Sequence, residues 1–110
     1  MKLQNGTIAI GYEVRIMSTD ENKIIVTVSG VDKVGIVAKV TTTFANYGVN
    51  IEDIKQTLIQ GHFVMFMLCD IEKSAYSFKE IKEALMKDSE EIGVEIWVQR
   101  KEIFDNMHNV

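Results

Sequence analysis

One stretch of the chain groups residues that can bind an anion. The loop Gly30-Val31-Asp32-Lys33-Val34-Gly35 follows an alternating apolar segment and precedes a segment with helical spacing. Free backbone N–H groups at the start of a helix attract a carboxylate, and a glycine lets a ligand approach the backbone closely. The same loop also suits an ordinary strand-to-helix turn in which Asp32 only caps the helix. The spacing alone leaves both interpretations open.

Phosphate, metal and catalytic patterns are not found in the sequence. Gly30 and Gly35 have the spacing of a Walker loop, but Ile36-Val37 stands where that loop has Lys-Ser or Lys-Thr. The two histidines, His62 and His108, form no metal-ligand or Ser/His/Asp pattern with other residues. We therefore expect no catalytic residue, no metal site and no cofactor.

The elements that position the loop follow from hydrophobic periodicity. Alternating apolar residues predict strands over 23–29 and 94–99, and the turn at Gln60-Gly61 predicts a hairpin of strands over 50–59 and 62–69, the second of them strongly apolar. Helical spacing predicts helices over 35–47, from a capping box at Ser77 and Glu80 to Ile92, and over 101–108. The order strand–helix–strand–strand–helix–strand predicts an α+β fold of the ferredoxin-like type: a four-stranded antiparallel sheet with two helices on one face and a short C-terminal helix.

This topology separates the loop from a second polar residue, Asn50, which begins the second strand. A βαβ crossover makes the first two strands parallel, so their starting points lie at the same end of the sheet. Asn50 is then expected at the far end of the sheet from the loop. A site that uses both needs the loop to curl over the helix or a second subunit to take part.

The sheet face opposite the helices is also expected to be covered. The strand HFVMFMLC is apolar on both sides, and Ile25 and Trp97 point away from the helices. The C-terminal helix, an N-terminal strand or another subunit could bury this face. The pattern predicts a homodimer or a higher homo-oligomer.

Bulk properties narrow the function further. A chain of 110 residues with net charge −4 indicates one globular domain whose acidity disfavours nucleic-acid binding. The single Cys69 fits a reducing cytoplasm, and no apolar run is long enough for a membrane span. Residues 1–22 are expected to be an N-terminal extension, with strand-like alternation over 7–17. Met17 is an equally good start of the protein, which would leave residues 1–16 as an artefact.

A longer stretch, VSGVDKVGIVAKVTTTFANYGVNIEDIKQTLIQGHFVMFMLCDI, resembles the ACT domain, a small-molecule regulatory module. The likeness lies in the Asp-Lys-x-Gly-Ile-Val loop, the Gly-Val-Asn-Ile link and Asp-Ile-x-Gln-Thr on the next strand. The tail IFDNMHNV resembles that of single-domain ACT proteins related to the glycine cleavage system transcriptional repressor. The resemblance covers residues 23–110, which we expect to be one ACT domain.

The resemblance implies a function and a set of site residues. ACT domains commonly bind amino acids or similar small ligands between two domains, through the loop after the first strand and an Asn in the Gly-x-Asn-Ile link. Contact across an interface would let loop and Asn come from different chains. Many amino-acid-binding members have Arg-Pro where this chain has Lys33-Val34, so the resemblance does not fix the ligand. The implied ligand-binding residues are Asp32, Lys33, Gly35, Ile36, Val37 and Asn50.

These observations predict a non-catalytic cytoplasmic module that binds a small ligand at a homodimer interface. An amino acid is the first candidate for that ligand. An interaction role with no ligand is an alternative. A small enzyme resembling the acylphosphatases, which share this fold, is another, but no Arg lies between Arg15 and Arg100 to hold its anion. An RNA-binding domain of the same topology would need an aromatic Arg/Lys-Gly-Phe signature that is absent.

Overall fold

The computed structural model describes residues 21–108, with side chains described for residues 21–107. The elements in chain order are β1 (Lys23–Gly30), α1 (Lys33–Tyr47), β2 (Asn50–Ile59), β3 (His62–Asp70), α2 (Phe78–Ile92), β4 (Glu95–Arg100) and α3 (Lys101–His108). The two interpretations of the N-terminal extension, a strand over 7–17 or an artefact over 1–16, concern residues outside the described part. None of the helices in the described part is long and apolar enough to cross a membrane.

The four strands form one antiparallel sheet in the order β2-β3-β1-β4. β3 pairs antiparallel with both β1 and β2, so β1 and β2 run parallel two positions apart. This confirms the predicted ferredoxin-like fold and its crossover. Among the described residues, β2 and β4 are the two edge strands of the sheet.

The core lies between the sheet and helices α1 and α2. Alternate residues of the strands face the helices, because side chains on a strand alternate between its two faces. α1 contributes Ile36, Val40 and Phe44, and α2 contributes Ile81 and Leu85. The strand residues of the core are Ile24, Val26, Val28, Phe63, Met65, Met67, Cys69, Ile96 and Val98.

Both long helices begin and end at residues that satisfy their free backbone groups. Ser77 caps α2, and the predicted capping box with Glu80 is formed in both directions. Asp32 caps α1, which therefore begins at Lys33, two residues before the sequence predicted. Gly48 and Gly93 end the helices in the left-handed conformation, with φ of 67° and 68°.

The outer face of the sheet, opposite α1 and α2, is only partly covered. The C-terminal helix α3 folds back onto it, and Phe104 lines a cavity of about 220 Å³ with Ile25, Phe66 and Leu68. Trp97 remains 61% exposed. The expectation that the C-terminal helix covers this face thus holds for part of it, and burial by another subunit stays a prediction.

Candidate functional site

The loop after β1 is shaped by the cap of α1. The Asp32 carboxylate accepts a hydrogen bond from the Gly35 N–H at 3.1 Å, and the Ile36 N–H donates to the Asp32 carbonyl at 2.9 Å. A Cβ at position 35 would lie 2.7 Å from an Asp32 carboxylate oxygen. Glycine at this position therefore lets the cap form. The backbone N–H groups of Lys33 and Val34 have no acceptor within the helix, because no helical turn precedes them to offer a carbonyl.

Beside this loop lies a groove that sequence reasoning did not predict. Its floor is Phe63, the second residue of β3, and its volume is about 470 Å³. The Lys33 ammonium stands 5.6 Å from the centroid of the Phe63 ring, within the range of a cation–π interaction. We call this surface the loop-end groove, and its lining residues are Val31, Lys33, Gln56, Thr57, Leu58 and Phe63.

The loop residues expected to bind a ligand differ in their access to this groove. Lys33 lines it, whereas the Asp32 carboxylate is engaged in the helix cap. The Ile36 side chain is buried in the core at 1% exposure, and Val37 packs half-buried against that core. Gly35 contributes only backbone. The loop side chains that line the groove are therefore those of Val31 and Lys33.

Asn50 lies at the other end of the sheet, beside a different cleft. The helix end at Gly48 leads into Val49, whose N–H donates to the Phe44 carbonyl at 2.9 Å. The Ser74 hydroxyl donates to the Tyr47 carbonyl at 2.5 Å and ties the end of α1 to the segment before α2. We call this surface the Asn50-end cleft. Its volume is about 490 Å³, and its lining residues are Gly48, Val49, Asn50, Asp70, Glu72 and Lys73.

Charged groups surround the start of β2 near this cleft. The Lys23 ammonium lies 2.5 Å from the Glu52 carboxylate and 3.8 Å from that of Asp70. Glu52 occupies a bulge in the pairing of β2 with β3, so it does not follow the simple strand alternation expected from the sequence. Beneath this end, burial first and the nearby Glu52 charge second together raise the pKa of the Cys69 thiol to about 12. The Asn50 end therefore combines a mixed-charge surface with a neutral, buried thiol.

The structure does not bring the two halves of the expected site together within one chain. Asn50 and Lys23 are both level with Asp70 on β3, whereas Gly30 is level with Phe63. Seven residues of strand separate these two levels, which is about 23 Å at roughly 3.3 Å per residue. The separation inferred from topology is thus confirmed.

Catalytic and metal-binding arrangements are not evident in the described part of the chain. No group of three or more His, Cys, Asp and Glu side chains there could hold a metal ion. Arg100 lies over the Phe78 ring, 4.4 Å from its centroid, and is level with Ile24 at the sheet end away from the loop. An acylphosphatase-like anion clamp at the loop therefore receives no arginine from residues 21–107.

Comparisons with known proteins agree with this architecture. The family model described as the ACT domain matches residues 22–99. The chain is 48% identical over 87 residues to a UPF0237 protein of Methanococcus maripaludis, covering 79% of this chain and 97% of that protein.

Solved structures give the same result. An ACT domain protein from Streptococcus pneumoniae has a TM-score of 0.65 and 34% identity, covering 76% of this chain and 93% of that one. A crystal structure described as a glycine cleavage system transcriptional repressor has a TM-score of 0.63 at 17% identity, covering 70% of this chain and 45% of that one. The second likeness shows a shared fold only. Because the family model matches most of the chain and relatives share more than 30% identity with it, the chain belongs to the ACT domain family.

Proposed function

We propose that this protein is a non-catalytic regulatory module that binds an amino acid or a similar small ligand at a homodimer interface. The observation that carries this proposal is the position of the two expected parts of the site. Lys33 lies near one end of the exposed edge strand β2, and Asn50 lies at the other end. The buried free thiol of Cys69 suits the reducing cytoplasm in which we place it.

The edge strand β2 is suited to pair with another chain. It is ten residues long, and every residue except Ile51 is exposed. A long exposed edge presents unpaired N–H and C=O groups that template a further strand. Ile54, Leu58 and Ile59 add exposed apolar side chains along the same strand. A second copy of β2 is the partner that would satisfy this edge by twofold symmetry.

Twofold pairing of β2 would also complete the site. Antiparallel pairing places the start of one β2 beside the end of the other, so Asn50 of one chain would approach the loop-end groove of its partner. Lys33 lies above Phe63 on β3, about two strand spacings, or roughly 10 Å, from a paired β2. An α-amino acid held at both ends by hydrogen bonds of ~2.9 Å spans a similar distance.

A charge placed on β2 tests the assembly. We expect Ile54→Glu to raise the dimer dissociation constant at least tenfold in sedimentation experiments, because two carboxylates would meet near the twofold axis. The matched control is Trp97→Glu on β4, the other edge strand, which is more exposed than Ile54. A monomeric wild-type chain at micromolar concentration would refute the dimer. Dissociation by Trp97→Glu alone would instead place the interface on β4 or the outer face.

Ligand binding is tested separately from assembly. Thermal shift and calorimetry against the twenty common amino acids should give stabilisation by a subset of them, and Asn50→Ala should weaken it. A flat response from a dimeric protein would leave the interaction role without a ligand. Hydrolysis of an acyl phosphate that is lost in Asn50→Ala would contradict the non-catalytic role.

A further inference from the structure

The loop-end groove has a composition that points to a ligand class. We infer that it accepts the side chain of an aliphatic α-amino acid, with the Lys33 ammonium at the ligand carboxylate. This inference rests on the proposed function, since Asn50 of a partner would close the other end of the site. It goes further because the residues that select the ligand, Val31, Leu58 and Phe63, lie outside the set expected from the family.

The walls of the groove favour an apolar side chain. Val31 and Leu58 are 75% and 72% exposed, whereas Phe63 beneath them is 3% exposed. A concave surface that combines large apolar side chains with a few polar groups has the composition typical of a small-molecule site. An aliphatic side chain seated between them would remove their apolar area from water, and this burial is favourable in proportion to the area.

The charges of the groove restrict the ligand further. Among the residues that line the groove, all within the described part of the chain, Lys33 alone is charged. Its one described contact is the ring of Phe63, and no carboxylate of residues 21–107 forms an ion pair with it. A ligand carboxylate would supply that partner. A second carboxylate or a basic group on the ligand side chain would then have no counter-charge, which is unfavourable once water is displaced.

Isosteric pairs of amino acids separate shape from polarity. We would titrate the full chain with L-valine and L-threonine, and with L-leucine and L-asparagine, by calorimetry. The two members of each pair have similar shapes. Threonine has a hydroxyl where valine has a methyl group, and asparagine has an amide where leucine has two methyl groups. We expect the apolar member to bind about tenfold more tightly in at least one pair, and leucinamide, which lacks the carboxylate, to bind more weakly than leucine.

Two neighbouring valines provide a matched pair of variants. Val31 lines the groove, whereas Val34, 79% exposed and one residue beyond Lys33, does not. We expect Val31→Thr to weaken binding of the preferred aliphatic amino acid by roughly fivefold, because one methyl group in the contact becomes a hydroxyl. Val34→Thr should leave binding unchanged, and both variants should keep the wild-type oligomeric state.

The outcomes distinguish this inference from the proposed function. Equal or tighter binding of the polar members of the pairs would overturn the aliphatic assignment and leave a ligand-binding module. Equal weakening by Val31→Thr and Val34→Thr would overturn the assignment of the groove, because the effect would belong to the loop as a whole. No binding by any of the four amino acids or the rest of the common set would overturn both.

Discussion

The two ends of the sheet carry clefts of nearly equal volume, about 470 Å³ at the loop end and 490 Å³ at the Asn50 end, with opposite chemistry. The loop-end groove has three apolar residues, the neutral polar residues Gln56 and Thr57, and one cation, Lys33. The Asn50-end cleft has an amide, two carboxylates and a lysine. An amino acid has the same division between an apolar part and a polar part. In the proposed homodimer, a second chain would bring these two chemistries together as complementary parts of one site.

Strand β3 produces much of this difference because it runs beneath both clefts. Its second residue is the large aromatic Phe63, under the loop end, and it finishes with the small Cys69 and the charged Asp70 under the Asn50 end. Phe63 and Cys69 both face the helices and are buried. The loop end is therefore built on a large side chain, whereas the Asn50 end depends on backbone turns and ion pairs.

Truncation of the two buried residues of β3 should give the largest contrast. We expect Phe63→Ala to lower the free energy of unfolding by about 3–5 kcal/mol, because it removes a buried ring and leaves a cavity. Cys69→Ala should cost about 1 kcal/mol, because it removes a single buried atom. Urea denaturation of both variants measures the difference.

Phe63→Leu is the control for a variant that fails to fold, because it keeps most of the volume and should cost under about 1.5 kcal/mol. Lys33 would lose its aromatic partner in that variant. Similar costs for Phe63→Ala and Cys69→Ala would contradict the view that the loop end depends more heavily on one side chain.

The elements of the fold could be predicted from the sequence because each follows from local periodicity and capping. The strand starting at Asn50 and the capping box at Ser77 are where the pattern predicted them. The separation of Asn50 from the loop also followed, because the handedness of a crossover fixes which ends of the strands meet.

The loop-end groove could not be predicted in the same way. Leu58 and Phe63 become neighbours through the register of the β2–β3 hairpin, and Val31 reaches them only through the three-dimensional course of the loop. Periodicity assigns a residue to a face but does not show where the helices leave that face uncovered. No signal in the sequence separates Val31 from Val34, because both are apolar residues of the same loop and only Val31 lines the groove.

The thiol beneath the Asn50 end gives a pH-dependent contrast. Burial raises the pKa of Cys69 from its ordinary value of 9.0 to about 12 in the folded protein. The folded state therefore holds the proton more tightly than the unfolded state. This contribution to stability is complete below pH 9 and is lost as the pH rises from about 9 towards 12. At pH 10 the loss should be about 1.4 kcal/mol.

Urea denaturation at pH 8 and pH 10 measures this loss, and Cys69→Ala is the control because it lacks the thiol. The variant should lose about 1.4 kcal/mol less than the wild type between the two pH values. An equal loss in both proteins would assign the alkaline effect to other groups. In native protein at pH 8 the same thiol should react slowly with disulfide reagents, because the thiolate is the reactive form.

The smallest expected effect separates the two interpretations of Asp32, a helix cap or a ligand contact. Asn caps a helix about as well as Asp, so Asp32→Asn should change the free energy of unfolding by no more than a few tenths of a kcal/mol. Its effect on binding depends on what the carboxylate does. As a cap alone, it is a negative charge near Lys33 that repels a ligand carboxylate by roughly 0.5 kcal/mol at ~8 Å in water.

Under that interpretation, Asp32→Asn should tighten binding of an aliphatic amino acid by about two- to threefold in calorimetry at low salt. The gain should shrink at high salt, because exposed charges are screened. If Asp32 instead holds the ligand ammonium, the substitution weakens binding and the loop end recognises both charges of the ligand by itself. Asn50 of a second chain would then have no charge-recognition role, and the contrast between the two ends would lose its functional meaning.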